Sequence, residues 1–482
     1  MTSNTRTLGP TYGRTLTAAA ALVLAALVVL LAVVIPAHAA SPTDSRFITT
    51  ELADSPAARE LQWLMDATTR LPLSTDEIRA HIAKTLLSTP GYSPAQTNGA
   101  LAKLFDTSGM HLKGVVASEP RALVAVVTGR SGSEIVVTLV LDHAGLIDVP
   151  TSLNPSSSRP NIALPIPSGP AVVGTDTLQL IDRSRDGRRV MVTRWYPAVA
   201  SARSRPLAAY MSPRLSAVLG LPIGHVRVHA HTGAHPVAAR LPVVLFSPGG
   251  NVSRVIYQAL AEDLASNGYL VVSVDHTGEA AVELPDGRIT LPTWWTNPPT
   301  GGFLAAIARS QATRVADLEL ILRRLGTMPG PGPDLTRIAS IGHSLGGSSS
   351  AALMRRDSRI RAGIDLDGSI FGVAATHGVP RPFLILGEGK SDASTRGLLK
   401  HSTGPRYEID IAGLQHMSFS DLPVLAPAAL SVGKWHAGPN DIDIQRTLVR
   451  EFLDQYLFAR PSALLEAPSS RFPRATLTYR HR

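Results

Sequence analysis

The sequence predicts an α/β protein: a mostly parallel sheet flanked by helices, preceded by a small α+β domain. Three observations predict it. From residue 171 onward, short runs rich in Val, Ile and Leu alternate with segments of helical length, as parallel strands joined by crossover helices do. Before residue 150 the order differs, with helical segments first and apolar strand-like runs after them. Between the two, "TSLNPSSSRPNIALPIPSGP" (151–170) is rich in Pro and Ser and reads as a linker. The expected organisation is therefore a leader at 1–39, a small α+β accessory domain at 41–150, a linker at 151–170, a larger α/β domain at 171–460 and a tail at 461–482.

The leader carries Arg6 and Arg14, an unbroken apolar run from Leu16 to Ile35, then Ala37-His38-Ala39. A basic start, an apolar stretch and an A-x-A site describe a secretory signal peptide. The run is also long enough to span a bilayer, so the alternative is an uncleaved transmembrane helix. Either fate exports the body, giving a secreted or cell-envelope-associated protein. The chain has no cysteine, which excludes disulfides, cysteine metal sites and thiol nucleophiles. Its net charge of +9 comes from scattered arginines rather than blocks, which fits a solvated basic surface or peripheral contact with anionic membrane or envelope. Nothing in it has the pattern of a nucleic-acid reader.

In the first domain, "SPAARELQWLMDATTRL" has apolar residues at helical spacing, and "STDEIRAHIAKTLL" opens with Ser74 and Glu77 in capping-box spacing. Ser93-Pro94 starts another short helix. The runs 121–128 and 134–142, separated by "GRSGS", predict an antiparallel hairpin. This segment resembles the small cone-shaped domains, like those of ketosteroid isomerase and nuclear transport factor 2, that precede some secreted serine β-lactamase-like proteins. It carries no catalytic constellation.

In the second domain, strands are expected at 177–182, 189–195, 241–246, 269–274, 337–341, 362–366, 382–387 and 406–411. Helices are expected at 254–267, 309–326, 345–355 and 441–458. Chemistry in such a sheet sits at the carboxyl ends of the strands. Gly342-His343-Ser344-Leu345-Gly346 stands at one of them, a G-x-S-x-G between an apolar strand and a helix. The turn is tight enough to demand glycine on both sides of the serine. The following helix points its positive end at the reacting centre.

A serine hydroxyl needs a base, and the base needs an orienting acid. His416 lies in a glycine-containing loop after the last parallel strand; His401 precedes that strand and His436 lies too near the final helix. For the acid, Asp367 ends one strand, while Glu388 and Asp392 follow the next. Asp365 shares a strand face with Asp367 but lies deeper. The oxyanion donors are expected to be the N–H groups of Gly250, in "LFSPGGNVSR", and Leu345. Trp294 and Trp295 fall in a long insertion, as lining for an acyl or lipid chain or as packing. His225, His229, His231 and His235 form a histidine-rich loop without a nearby carboxylate, so no metal and no cofactor is expected.

At these residues the chain resembles the platelet-activating-factor acetylhydrolase branch of the α/β-hydrolases, in its bacterial, exported form. The matching pieces are "TRWYPA", "LPVVLFSPGG", "LASNGYLVVSVDHTG", "SIGHSLGGSSSA", "AGIDLDGSIFG" and "QHMSFSD", in family order across 171–460. The resemblance implies an α/β-hydrolase fold, a nucleophile at Ser344, the acid at Asp367 and the base at His416. It places the loop donor at Gly250, where relatives often have leucine, with Pro248 where some have histidine. It implies a serine ester hydrolase acting on short-acyl phospholipid-like or related carboxylic esters. The alternatives are a polyester or general carboxylesterase, and a non-catalytic envelope binding protein on the same scaffold. Oligomeric state is not legible.

Overall fold

The computed structural model describes residues 46–88, 93–104, 110–128, 134–142, 144–153, 162–219, 221, 226–292, 302–389, 392–431, 436–467 and 470–481. The leader, Trp294, Trp295 and His225 lie outside the described residues. The expected transmembrane helix is corrected: among the described residues, no helix is long and apolar enough to cross a membrane. The longest, Gly302–Arg324, carries Arg309, Arg314, Asp317, Glu319, Arg323 and Arg324 along its length.

The first unit contains helices α1 (Pro56–Ala67), α2 (Thr75–His81) and α3 (Pro94–Leu104), then strands β1 (His111–Glu119), β2 (Ala122–Thr128), β3 (Glu134–Leu141) and β4 (Ile147–Leu153). Ser55 Oγ accepts the Ala58 N–H (3.1 Å) and Ser74 Oγ accepts the Glu77 N–H (3.1 Å), so both helices start where a serine satisfies an orphan donor. The strands form an antiparallel meander, β1-β2-β3-β4. Both of its faces are buried. Leu123, Ala125, Val127, Val137 and Leu139 pack against Leu61, Leu64 and Ile78 of the helices. Val124, Val126, Val136 and Val140 face the other way, onto Leu215, Ala281, Ile289 and Leu291 of the second unit. Two-sided burial explains why β2 reads as a continuous apolar run rather than an alternating one.

The second unit contains β5 (Ile162–Ala163), β6 (Val172–Asp182), β7 (Arg188–Ala198), β8 (Val226–Arg227), β9 (Ala230–Thr232), β10 (Arg240–Ser247), β11 (Leu270–Asp275), β12 (Val282–Glu283), β13 (Ile289–Thr290), β14 (Gly332–His343), β15 (Ile360–Leu366), β16 (Phe383–Gly387), β17 (Arg406–Ile411) and β18 (Ala475–His481). Ten of them make one sheet in the order β18-β17-β16-β15-β14-β10-β11-β7-β6-β9. The run from β11 to β17 is parallel; β7 and β18 join it antiparallel at either side.

The helices that cover this sheet include α5 (Gln258–Ser266), α6 (Gly302–Arg324), α7 (Leu345–Arg356), α8 (Ala393–His401) and α9 (Pro439–Leu457); α4 (Pro213–Val218) is shorter. Alternation along each strand builds the two faces. Val244, Phe246, Ala339, Ile341 and Ile364 pack with α5 and α9, whereas Val243, Leu245, Val272, Ile338 and Ile385 pack with α6, α7 and α8. Residues 461–482, expected as a tail, instead supply the edge strand β18, paired with β17 from Arg406↔His481 to Ile411↔Ala475. "ATLTYRH" is only half-buried there, so its apolar signal is weak.

The histidine-rich loop is a structural element. The His229 ring Nε2 lies 3.0 Å from the Leu164 carbonyl, and His231 Nδ1 lies 2.7 Å from the Arg205 carbonyl. Among the described residues no group of three or more His, Asp or Glu could hold a metal ion. The loop is tied down by Glu262 of α5, which accepts the N–H groups of His229 (3.0 Å) and Ala230 (2.9 Å). Burial pushes the Glu262 carboxyl up to about 8, from 4.5 for a free glutamate; the two N–H donors offset part of that rise. The folded protein therefore holds this proton more tightly than the unfolded chain does. The stability it contributes is complete below pH 4.5 and is lost as pH rises to about 8. The slope of unfolding free energy for one proton is at most about 1.4 kcal/mol per pH unit. Glu262→Gln keeps the acceptor oxygen and removes the proton. Denaturant melts between those pH values should show a shallower decline for the variant than for the parent; parallel declines would reject this account.

Candidate active site

The turn from β14 into α7 sets Ser344 at φ +55°, ψ −123°, a conformation that a residue with a Cβ rarely adopts. Close approach fixes its neighbours as glycine. A Cβ on Gly342 would lie 2.0 Å from the Gly346 carbonyl carbon, and one on Gly346 would lie 1.9 Å from the Ser247 carbonyl oxygen. The Ser344 N–H donates to Leu366 O (2.9 Å) and its carbonyl accepts the Gly347 N–H (2.9 Å), so the turn is held to β15 on one side and α7 on the other. Leu345 is the first residue of α7, where backbone N–H groups have no intrahelical acceptor.

The structure brings His416 and Asp367 together. His416 opens a short 3₁₀ turn after β17, and its Nδ1 lies 2.7 Å from Asp367 Oδ2. The other oxygen, Asp367 Oδ1, accepts the Glu388 N–H (3.1 Å). Glu388 thus contributes its backbone here, although sequence spacing made its side chain a rival acid. Asp392 serves a helix end instead. Its Oδ1 caps α8, accepting the N–H groups of Ser394 (2.7 Å) and Thr395 (2.9 Å), and its Oδ2 accepts from Ser369 Oγ (2.5 Å). Asp365 is fully buried beneath the turn, where its Oδ2 accepts the Gly368 N–H (3.2 Å). Burial, reinforced by the charge of Asp367, pushes its carboxyl well above the ordinary range. Asp367 and His416 keep part of their side chains open to solvent (13% and 24%).

His343, the x of G-x-S-x-G, carries a role that the motif does not signal. Its Nε2 lies 2.9 Å from the His416 carbonyl, which can only accept, so Nε2 carries the proton. Nδ1 then accepts from Tyr257 Oη (2.8 Å), and Tyr257 Oη accepts the Gly249 N–H (3.3 Å). Burial, then the nearby His416, depress the His343 imidazole well below its usual range, so it stays neutral. This chain of hydrogen bonds links the loop bearing Gly250 to the loop bearing His416. Gly250 and Ser344 are half-buried at the same edge of the sheet.

A ten-stranded, mainly parallel sheet with a serine on a strained strand-to-helix turn and a His–Asp pair on the following loops defines an α/β-hydrolase. Residues 182–284 and 332–455 match the family model described as platelet-activating factor acetylhydrolase, isoform II. The chain is 31% identical over 375 residues to a protein of Arthroderma benhamiae named "Probable 1-alkyl-2-acetylglycerophosphocholine esterase", covering 66% of this chain and 94% of that one. It is 26% identical over 283 residues to the platelet-activating factor acetylhydrolase of Cavia porcellus, covering 50% of this chain and 64% of the relative. Among solved structures, a ferulic acid esterase from Streptomyces cinnamoneus superposes with a TM-score of 0.58 at 35% identity, covering 66% of this chain and 99% of that one. The chain belongs to the platelet-activating factor acetylhydrolase isoform II family, a family of carboxylic ester hydrolases.

Proposed function

We propose that the protein is an exported serine esterase that cleaves short-acyl esters, with the acetyl ester of a glycerophospholipid as the model substrate. The observation that carries this reading is the 2.7 Å pairing of His416 Nδ1 with Asp367 Oδ2 at the same sheet edge as the strained Ser344. With Nδ1 committed to the carboxylate, Nε2 is the free basic nitrogen. It takes the Ser344 Oγ proton as Oγ attacks the ester carbonyl. The N–H groups of Gly250 and Leu345 receive the oxyanion. Collapse breaks the bond to the alcohol, which leaves with the proton from His416. Water, deprotonated by the same nitrogen, then releases the acid and restores Ser344. The Asp367 carboxylate, paired with His416 Nδ1, stabilises the imidazolium. Export is proposed on the basic-apolar-A-x-A order of the first 39 residues.

The ferulic acid esterase neighbour favours a second reading, a general esterase that accepts larger acyl groups. A fluorophosphonate probe and an ester panel separate the possibilities. The probe should attach to Ser344, and a short-acyl preference should appear across p-nitrophenyl acetate, butyrate and octanoate, an sn-2 acetyl glycerophosphocholine and methyl ferulate. Preference for methyl ferulate would support the second reading. Absence of labelling and of turnover on every ester would leave only a binding protein.

A further inference from the structure

Behind the Gly249-Gly250 loop lies a buried polar network that the proposed reaction does not use. Ser247 Oγ is 2.9 Å from His276 Nε2, and His276 Nδ1 is 2.9 Å from Asp317 Oδ2. The connectivity is that of a Ser-His-Asp triad, but the three residues are at most 2% exposed, so no ester can reach them. Burial, then the charge of Arg314, lower the His276 imidazole and keep it neutral. Burial works to raise the Asp317 carboxyl, but hydrogen bonds from Arg188 and His276 outweigh it and hold the group far below the usual carboxylate range. Full enclosure and bonding at both ends of the imidazole suit an anchor.

At the front of this network stands Arg314 of α6, 1% exposed. Its Nε donates to Glu279 Oε2 (2.6 Å), its Nη1 to the Pro248 carbonyl (2.6 Å) and its Nη2 to the Gly249 carbonyl (3.0 Å). The guanidinium fork therefore grips two successive peptide units. Both are trans, since the cis bond among the described residues is Leu71–Pro72. In a trans peptide the N–H points opposite to the C=O. The first unit illustrates this: the Pro248 carbonyl faces Arg314, and the Gly249 N–H turns away to Tyr257 Oη. In the second unit the Gly249 carbonyl faces Arg314, so the Gly250 N–H must point away from α6. The nucleophile turn lies against this loop, since a Cβ on Gly346 would meet the Ser247 and Pro248 carbonyl oxygens and one on Gly249 would meet His343.

We propose that Arg314 is a positioning residue that aims the Gly250 N–H at the oxyanion by holding the Gly249 carbonyl from behind. The inference rests on the proposed reading of Ser344 and Gly250. Two variants test it. Arg314→Lys keeps the charge beside Glu279 but loses the two-pronged grip. The double variant Arg314→Gln with Glu279→Gln removes the buried charge pair altogether, so that it folds without an orphaned carboxylate. Turnover and KM are measured on p-nitrophenyl acetate, inhibition with a trifluoromethyl ketone that mimics the tetrahedral intermediate, and folding by near-ultraviolet circular dichroism. Loss of one aimed oxyanion donor should lower kcat by roughly 10²-fold and weaken the ketone by a similar factor, with KM little changed. A folded Arg314→Lys with near-parental kcat, or one whose loss lies wholly in KM, overturns the proposal. So does failure of both variants to fold, which would make Arg314 a stability residue. Absence of fluorophosphonate labelling at Ser344 in the parent enzyme overturns the reading of the nucleophile first, and the inference with it.

Discussion

Ser344→Ala should abolish ester hydrolysis while the protein keeps its fold. Loss of the nucleophile in a serine hydrolase costs on the order of 10⁴–10⁶ in turnover, because the residual machinery can only assist direct attack by water. The fold should survive because the substitution deletes one atom. The backbone bonds of residue 344 to Leu366 and Gly347 do not involve the side chain, and Ala accepts φ +55° with the same strain as Ser. Stopped assays on p-nitrophenyl acetate and a thermal melt measure both halves. A variant retaining more than about a tenth of the parental rate, a loss far below that scale, would remove Ser344 from the reaction.

The second large effect is expected at the acid. Asp367→Asn should lower kcat by about 10⁴, because an amide nitrogen facing His416 Nδ1 selects the wrong tautomer and leaves the imidazolium unbalanced. Asp392, the rival carboxylate by spacing, gives the contrast. Asn at 392 retains the oxygen that caps α8, and asparagine is as good a cap as aspartate. Asp392→Asn should stay within a few-fold of the parent in kcat/KM. The reverse ranking would transfer the acid to the later strand and break the mechanism proposed above.

Much of this arrangement is legible in the order of residues alone. The parallel strands declare themselves because both faces are buried, so "LPVVLF", "YLVVSV" and "PFLILG" are near-continuous apolar runs. The turn around Ser344 declares itself because steric demand restricts Gly342 and Gly346. Spacing does not separate Asp367 from Glu388 and Asp392, and the resemblance to a family decides it. Distance distinguishes them in the fold, since Asp367 meets His416 and Asp392 meets a helix end. Arg314, His343 and Tyr257 give no signal because their importance lies in bonds to distant backbone, and no local pattern records the orientation of a carbonyl 65 residues away. The half-exposed β18 escapes for the opposite reason, having too little apolar content to read as a strand.

The antiparallel meander β1–β4 has consequences for how the chain can be divided. Val124, Val126, Val136 and Val140 meet Leu215, Ala281, Ile289 and Leu291 across a shared apolar seam. Cleavage between the two units would leave a greasy face on each half, and such faces drive aggregation. Neither half is a portable module. A protease that nicks the connecting segment should yield fragments that stay associated, and heating the intact protein should melt both units in a single cooperative event.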